Sequence, residues 1–481
     1  MGGRSLMTRF RNRYLVFAYV LVLLGVFALG CSTREDPSEE LITCGNHSCG
    51  DLTMVTIDTN GPGGYQYLDV AVSPDGTRIA YTADWEVIPS IPEDDIADPI
   101  LNRQILVMPL PFDAWADTMD ARNPVESVTT LGAELIRTRQ FTSGIGGTDV
   151  YIEDEPSGTM TKASPNWIDD NTLLFRARFS RRDRLVRVDI SDPNWCEPEP
   201  VFYEPDDTLA TGFRYYYHHD PMLSPDKRWC VFTRFGCDDE PNVEDVDCDG
   251  ESLWVLDMAT TSDPRTAVAF PLTGEAAYME DPAWSPDGRS ICFSATTDLV
   301  GDQNGFVGEL FTIEFDPVAA ATGAVPLDNN LRRITNTEVS SGDPLVGLHN
   351  YGPVYTPDGH DIVFVSSRRA PGSTQRGRNL WSVTADGRLE PELLFFSRFD
   401  DIDPVFLWDT GSLMFSSRMG FPTEMLDALQ AETIDFYTNT YNDTARFPKS
   451  EVEIERLASD EREELELFED KMSHIYIYRG F

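Results

Sequence analysis

Along most of this chain, short apolar runs alternate with clusters of Pro, Asp, Ser and Gly, the pattern of β-strands joined by tight turns. In Asp281 to Ala295, DPAWSPDGRSICFSA, an apolar run through Ala283 and Trp284 stops at Ser285-Pro286-Asp287-Gly288 and resumes at Ile291-Cys292-Phe293. Pro presets φ, Asp can bond its own backbone and Gly accepts a positive φ, so the stretch predicts strand, turn, strand. The unit recurs as VAVSPDGTRIAYTA (Val70–Ala83), SPNWIDDNTLLFRAR (Ser164–Arg178), DPMLSPDKRWCVFTR (Asp220–Arg234), GPVYTPDGHDIVFVSSR (Gly352–Arg368) and DPVFLWDTGSLMFSSR (Asp403–Arg418). Self-similarity at such spacing marks a propeller or another array. A third apolar run usually follows each unit, as at Gln104–Met108, Arg184–Ile190, Ser252–Met258, Glu309–Phe315 and Asn379–Thr384. A fourth leads onward, as at Leu331–Thr335 and Glu392–Phe396. Four strands per repeat is the blade of a β-propeller. The second runs (SICFSA, DIVFVSS, SLMFSS) are almost continuously apolar, as strands packed on both faces should be.

The last repeat breaks the rhythm. After Arg418 the strand punctuation stops, and the chain ends in the strand-like His474-Ile475-Tyr476-Ile477-Tyr478. That blade lacks a fourth strand, and Leu52–Thr59 is a spare strand ahead of the first repeat. An unpaired sheet edge is a liability, so the pattern predicts closure of the ring by the N-terminal strand. Between the strands, Thr423–Tyr437 and Ser450–Met472 read as helices. Ser450 and Glu453 have capping-box spacing, and Ile454, Leu457, Leu465, Phe468 and Met472 recur at roughly helical intervals. The expected fold is therefore all-β, a six-bladed propeller of four-stranded blades at residues 52–418 and 473–481. A helical insertion at 419–472 interrupts the last blade.

The repeats DPAWSPDGRSICFSA, GPVYTPDGHDIVFVSSR and DPVFLWDTGSLMFSSR resemble the WD40-like repeats of TolB-type six-bladed propellers. The resemblance implies the fold, and it leaves function open, because such propellers serve as protein-binding platforms, as accessory domains of peptidases and as lyases. Blade two departs from the motif with a turn one residue shorter, Trp167-Ile168-Asp169, and blade six has Trp408 in place of the turn Pro.

The N-terminus adds an address. Arg4, Arg9, Arg11 and Arg13 precede an apolar run from Tyr14 to Leu29, short for a spanning helix, which ends in Phe27-Ala28-Leu29-Gly30-Cys31. This resembles a bacterial lipoprotein signal over residues 1–31 with lipidation at Cys31, followed by a polar tether at 32–51. Ser32 after the Cys fits an outer-membrane address. The signal carries four of the 38 basic residues and none of the 81 acidic ones, so its removal deepens the net charge from −43 to −47. Such a surface repels nucleic acid and anionic lipid headgroups.

Cysteines and carboxylates supply the candidate chemistry. In an exported protein Cys44 with Cys49, and Cys237 with Cys248, are disulfide candidates. The rival for the first pair is a metal site with His47, which remains an incomplete zinc set. Cys230 and Cys292 fall inside strand runs, where buried thiols are expected. Asp245, Asp247 and Asp249 alternate as in a calcium loop, and Asp298, Asp302 and Asn304 occupy the corresponding connection of the next blade. The alternative is a solvated acidic loop. Aligning the repeats places Asp69, Asp220, Asp281 and Asp403 at the entrance to the first strand, the strand that lines a propeller's channel. They are expected to cap turns, to pair with Arg234, Arg368 and Arg418, or to form a cation site at the channel mouth.

No G-x-S-x-G elbow follows the propeller and no C-x-x-C-H occurs, so peptidase and haem readings lack their residues. His218, His219 and His349 lie near strand entries of blades three and five. The expectation is a membrane-tethered envelope propeller that binds a protein or glycan with a basic or cation-bridged surface, without catalysis. Calcium is the one cofactor considered, and nucleic acid is not expected as a partner. The alternative is a metal-dependent, lyase-like carbohydrate-active enzyme using those histidines at the channel mouth.

Overall fold

The computed structural model describes the body of the chain between residues 42 and 478. The described residues are 67–86, 101–109, 161–179, 182–191, 199–204, 214–238, 247–300, 307–323, 325–337, 349–368, 378–397, 400–407, 411–417, 430–431, 433–441, 448–467 and 474–478, with short strand pieces at 42–43, 52–54, 134–135, 142–143 and 149–150. They form six antiparallel blades in a ring. From the channel outward, blade one is Tyr67–Val72, Arg78–Glu86, Leu101–Pro109 and Glu134–Leu135. Blade two is Thr161–Asp169, Thr172–Phe179, Arg182–Asp189 and Glu199–Pro200. Blade three is Arg214–Leu223, Trp229–Asp238, Ser252–Asp257 and Ala269–Pro271. Blade four is Met279–Trp284, Ser290–Thr296, Gly308–Glu314 and Arg332–Arg333. Blade five is Asn350–Tyr355, Asp361–Ser366, Asn379–Thr384 and Glu392–Ser397. Blade six is Asp401–Leu407, Ser412–Ser417 and His474–Tyr478, completed by the N-terminal Leu52–Met54.

That last pairing closes the ring. Leu52, Thr53 and Met54 lie opposite Tyr478, Ile477 and Tyr476. The first strands stand around the axis, each touching the first strands of both neighbouring blades. The second strands are the core. In Ser412–Ser417 every residue is buried, and in Ser290–Thr296 and Asp361–Ser366 all but the first. Their side chains pack from blade to blade, as where Trp229, Val231 and Val255 of blade three meet Trp284, Phe293 and Phe311 of blade four. Dense apolar burial of this kind makes a rigid ring.

The Ser-Pro-Asp-Gly turn builds itself from local hydrogen bonds. Asp287 Oδ1 accepts from the Ser285 hydroxyl at 2.7 Å and from the Arg289 N–H at 3.0 Å, while Gly288 donates to the Ser285 carbonyl at 2.9 Å. The same bonds recur at Asp75, Asp226 and Asp358. Gly76, Gly288 and Gly359 adopt the positive φ that the turn demands. Blade three carries Lys227 there, at φ 60°, and burial holds its ammonium below the usual lysine range. Lys227→Gly should therefore raise stability by about 1 kcal/mol, the size of a relieved left-handed residue. A urea midpoint lower than that of the parent protein would contradict this.

In the insertion, the described residues 430–431 and 433–441 are helical, and Glu451–Leu467 forms a second helix. Its capping box is formed, with Glu453 Oε2 accepting from the Ser450 N–H and hydroxyl, each at 2.9 Å. Among the described side chains of this helix, Ile454 and Ala458 are buried.

Candidate functional site

Every first strand breaks register at the same place. The shift falls between Leu68 and Ala71, Ala163 and Asn166, His219 and Met222, Glu280 and Ala283, Tyr351 and Val354, and Ile402 and Val405. At the centre of each bulge is one residue in the left-handed region: Asp69 (φ 51°), Ser164 (54°), Asp220 (48°), Asp281 (51°), Gly352 (56°) and Asp403 (53°). Asp tolerates this backbone better than most residues, and the Pro that follows in five copies needs no ladder N–H inside a bulge. Bulges re-aim a side chain. Here they turn each carboxylate toward the next blade.

The four repeat aspartates are thus interblade clasps. Asp403 Oδ2 accepts the Asp69 N–H at 3.3 Å, and Asp69 Oδ2 accepts the Ser164 N–H at 3.1 Å. Asp220 Oδ2 lies 3.5 Å from the Asp281 N–H, and Asp281 Oδ2 accepts the Gly352 N–H at 3.0 Å. These carboxylates are held by backbone N–H groups of the next blade. Arg234 is committed to Glu204, and Arg368 donates to the Thr337 hydroxyl at 3.2 Å. Arg418 lies outside the described residues.

The clasps bring the carboxylates within electrostatic reach of one another around the channel. Burial, then the charges of Glu280, Asp220, Asp403 and Asp69, drive the Asp281 carboxyl well above the ordinary range. Glu280 is pushed up to about 8 by burial and by Asp220, Glu251 and Asp403, against an opposing hydrogen bond from the Tyr278 hydroxyl. Glu251 is raised by burial while the Met279 N–H and His219 pull it down. The mouth is polarised. The residue preceding the left-handed position is Leu68, Ala163 and Ile402 in blades one, two and six, but His219, Glu280 and Tyr351 in blades three to five. Tyr278, partly exposed, and Tyr351, with a buried hydroxyl, border the polar arc. Arg378, the nearby cation, is engaged by Asp400 at 2.5 Å.

The three histidines go separate ways. His218 is fully buried between Phe202 and Phe232, with Nε2 2.9 Å from Glu204 Oε1. Glu204 also takes both arms of Arg234, at 2.6 and 3.0 Å, and Arg234 is stacked between Tyr216 and Trp254. Burial raises the Glu204 carboxyl, but the bonds from His218 and Arg234 outweigh it and leave it at about 2. His219 Nε2 lies 2.9 Å from the buried Asp183. His349 sits against Gly308 of blade four. They do not form a common ligand set, and among the described residues no group of three or more His, Cys, Asp or Glu is placed to hold a metal ion.

Of the acidic loops, Asp245, Asp302 and Asn304 lie outside the described residues, as do the side chains of Asp247 and Asp298, and Asp249 is exposed. Cys237 and Cys248, paired across neighbouring strands, are joined by a disulfide of 2.06 Å. Cys230 and Cys292 are buried thiols whose pKa burial drives up. Cys31, Cys44 and Cys49 lie outside the described residues. No described helix is long and apolar enough to cross a membrane. Reading the repeats alone brings out the aspartates but misses Glu280, Glu251, Tyr278 and Tyr351. Aligning one position upstream would have found Glu280 and Tyr351.

Six blades around a carboxylate-lined channel define the chain as a six-bladed β-propeller. It is similar to a TolB-type protein from Agrobacterium tumefaciens, with 20% identity over 53% of this chain and 68% of that one and a TM-score of 0.33. TolB from Acinetobacter baumannii is 13% identical over 68% of this chain and 54% of its own, with a TM-score of 0.32. The calcium-binding protein regucalcin from Agrobacterium tumefaciens is 11% identical over 79% of this chain and 90% of its own, with a TM-score of 0.41. No protein-family model and no curated protein matches the chain.

Proposed function

We propose that this protein is an exported, lipid-anchored propeller of the cell envelope, held at the outer membrane through Cys31, that binds a protein or glycan partner without catalysing a reaction. The observation that carries this reading is the carboxylate mouth. Asp220, Asp281, Glu280 and Glu251 converge on one side of a rigid ring, and Arg378, which lies near Tyr351, is already paired with Asp400. Burial and mutual repulsion hold protons on Glu280 and Asp281 in the free protein, and a partner's ammonium or guanidinium group entering the mouth would favour their charged forms and pair with them. Calcium at the acidic loops could add a cation-bridged contact. Binding sites on such scaffolds sit on loops and channel mouths, where side chains converge without the fold having to change. The scattered histidines supply no common base for a lyase.

The test is crosslinking in intact envelopes followed by capture of the tethered protein, with and without a calcium chelator. The same capture runs beside the chain lacking residues 421–472. A reproducible partner whose capture weakens as salt rises is expected, since exposed charge pairs are screened. Turnover of a polysaccharide by the purified protein, abolished by His219→Ala, would overturn the reading.

A further inference from the structure

Blade three rises above its neighbour, blade four, at the mouth of the channel. Its first strand, Arg214–Leu223, is 10 residues long against 6 in blades four and five, and the excess lies ahead of Asp220, on the side of the mouth. Its second strand, Trp229–Asp238, is also 10 residues long, and its far end pairs outward with Asp247–Cys248. The disulfide between Cys237 and Cys248 ties these two strands, and the Asp249 N–H donates to the Gly236 carbonyl at 2.8 Å. Side chains on a sheet braced in this way are held in fixed places.

One row of side chains crosses the projection. Tyr217 lies opposite Phe235, and their rings stack 4.7 Å apart. Ser252 lies opposite Arg234, so Glu251, one residue back, comes beside Phe235 on the same face. The Glu251 backbone is fixed by two bonds to Ala276, at 2.8 and 2.9 Å. Glu251 Oε2 accepts the Met279 N–H, which turns this face toward blade four, where the Tyr278 hydroxyl donates to Glu280. Both rings of the row are partly exposed.

The opposite face of the same strands shows how such a set holds an arginine. Arg234 is stacked between Tyr216 at 4.2 Å and Trp254 at 4.4 Å, with its guanidinium bonded to Glu204. Aromatic faces with carboxylates at their edge suit a planar, weakly hydrated guanidinium better than a compact, strongly hydrated ammonium. We propose, building on the cationic-group reading of the mouth, that the partner is a protein and that one of its arginines docks on this row. Its side chain lies against Tyr217 and Phe235, and its guanidinium pairs with Glu251 and Glu280.

Fluorescence anisotropy with labelled, C-amidated peptides and the full chain at low salt tests this. A tri-arginine peptide should bind about 10-fold more tightly than tri-lysine, although both carry the same charge toward the same acidic surface. In Tyr217→Leu/Phe235→Leu the arginine preference should vanish while tri-lysine binding stays as it was. If the double variant fails to fold, Tyr217→Leu alone carries the comparison and should shrink the preference. Equal binding of the two peptides by the parent protein, or a preference that survives loss of the rings, would overturn the proposal. If that equal binding is lost in Asp220→Asn/Glu280→Gln, the cation-binding mouth still stands without the aromatic row. Binding of neither peptide counts against both. A glucosamine trisaccharide that binds more tightly than tri-arginine would also overturn the proposal, by assigning the row to a glycan.

Discussion

Replacing Glu204 with Ala should destabilise the protein by roughly 3–5 kcal/mol, the cost of removing one partner from a buried charge network. Glu204 is 2% exposed and holds both His218 and Arg234 at the seam between blades two and three. That seam has no aspartate clasp, and Glu204 is the buried charge that ties His218 and Arg234 together there. Without Glu204, the Arg234 guanidinium remains stacked between Tyr216 and Trp254 with its compensating charge gone. Glu204→Gln keeps the shape and should cost less than Ala. Urea unfolding gives the number, and a loss under about 1 kcal/mol would mean that the pair contributes little.

Stability should fall, not rise, as pH increases from about 5 to 8. Asp401 is fully buried and sits at about 7, driven up by burial against hydrogen bonds from Ser417 and Ser397. Glu280 sits at about 8, and Asp281 is raised in the same direction. Each carboxyl keeps its proton in the folded state at a pH where the unfolded chain, titrating near 4, has released it. The folded protein then binds more protons than the unfolded one, so raising the pH favours unfolding. For Asp401, the step from the ordinary value to about 7 corresponds to roughly 4 kcal/mol. Glu204 works the other way, since its depressed carboxyl gives stability that is complete above the ordinary glutamate range and lost as pH falls toward 2. The stability maximum should therefore lie near pH 5, close to the ordinary glutamate value. Asp401→Asn should flatten the alkaline side. A melting temperature that climbs between pH 5 and 8 would contradict this assignment.

What the sequence discloses is set by the range of each interaction. The turn aspartates are legible because Asp287 bonds Ser285 and Arg289, two residues away on either side. Ring closure is legible because an apolar terminal strand without a partner implies one. The channel aspartates stand out as a repeated position, but their partners are backbone N–H groups, which carry no residue identity. The bond between Asp281 and Gly352 spans 71 residues, and the one between Asp403 and Asp69 spans 334. Turn capping and the arginines at the ends of the second strands are what the neighbouring sequence offers these aspartates, and the bonds formed reach instead to backbone N–H groups of the next blade. Glu204 has no counterpart in the repeat, since it follows the outermost strand of blade two. His218 and His219, adjacent in sequence, lie on opposite sides of a strand, so their nearness gave a false picture of a shared site.

The central claim is that the carboxylate mouth takes the cationic group of a partner. The most direct measurement is envelope crosslinking and capture with the variant Asp220→Asn/Glu280→Gln beside the parent protein. Circular dichroism should first show that the variant is folded. Removing two acids from one side of the mouth should lower capture of the partner about 10-fold or more, the effect of about 1.4 kcal/mol per decade. The remaining capture should lose most of its dependence on salt. Equal capture by the two proteins, with the same salt dependence, would show that the partner binds elsewhere on the propeller.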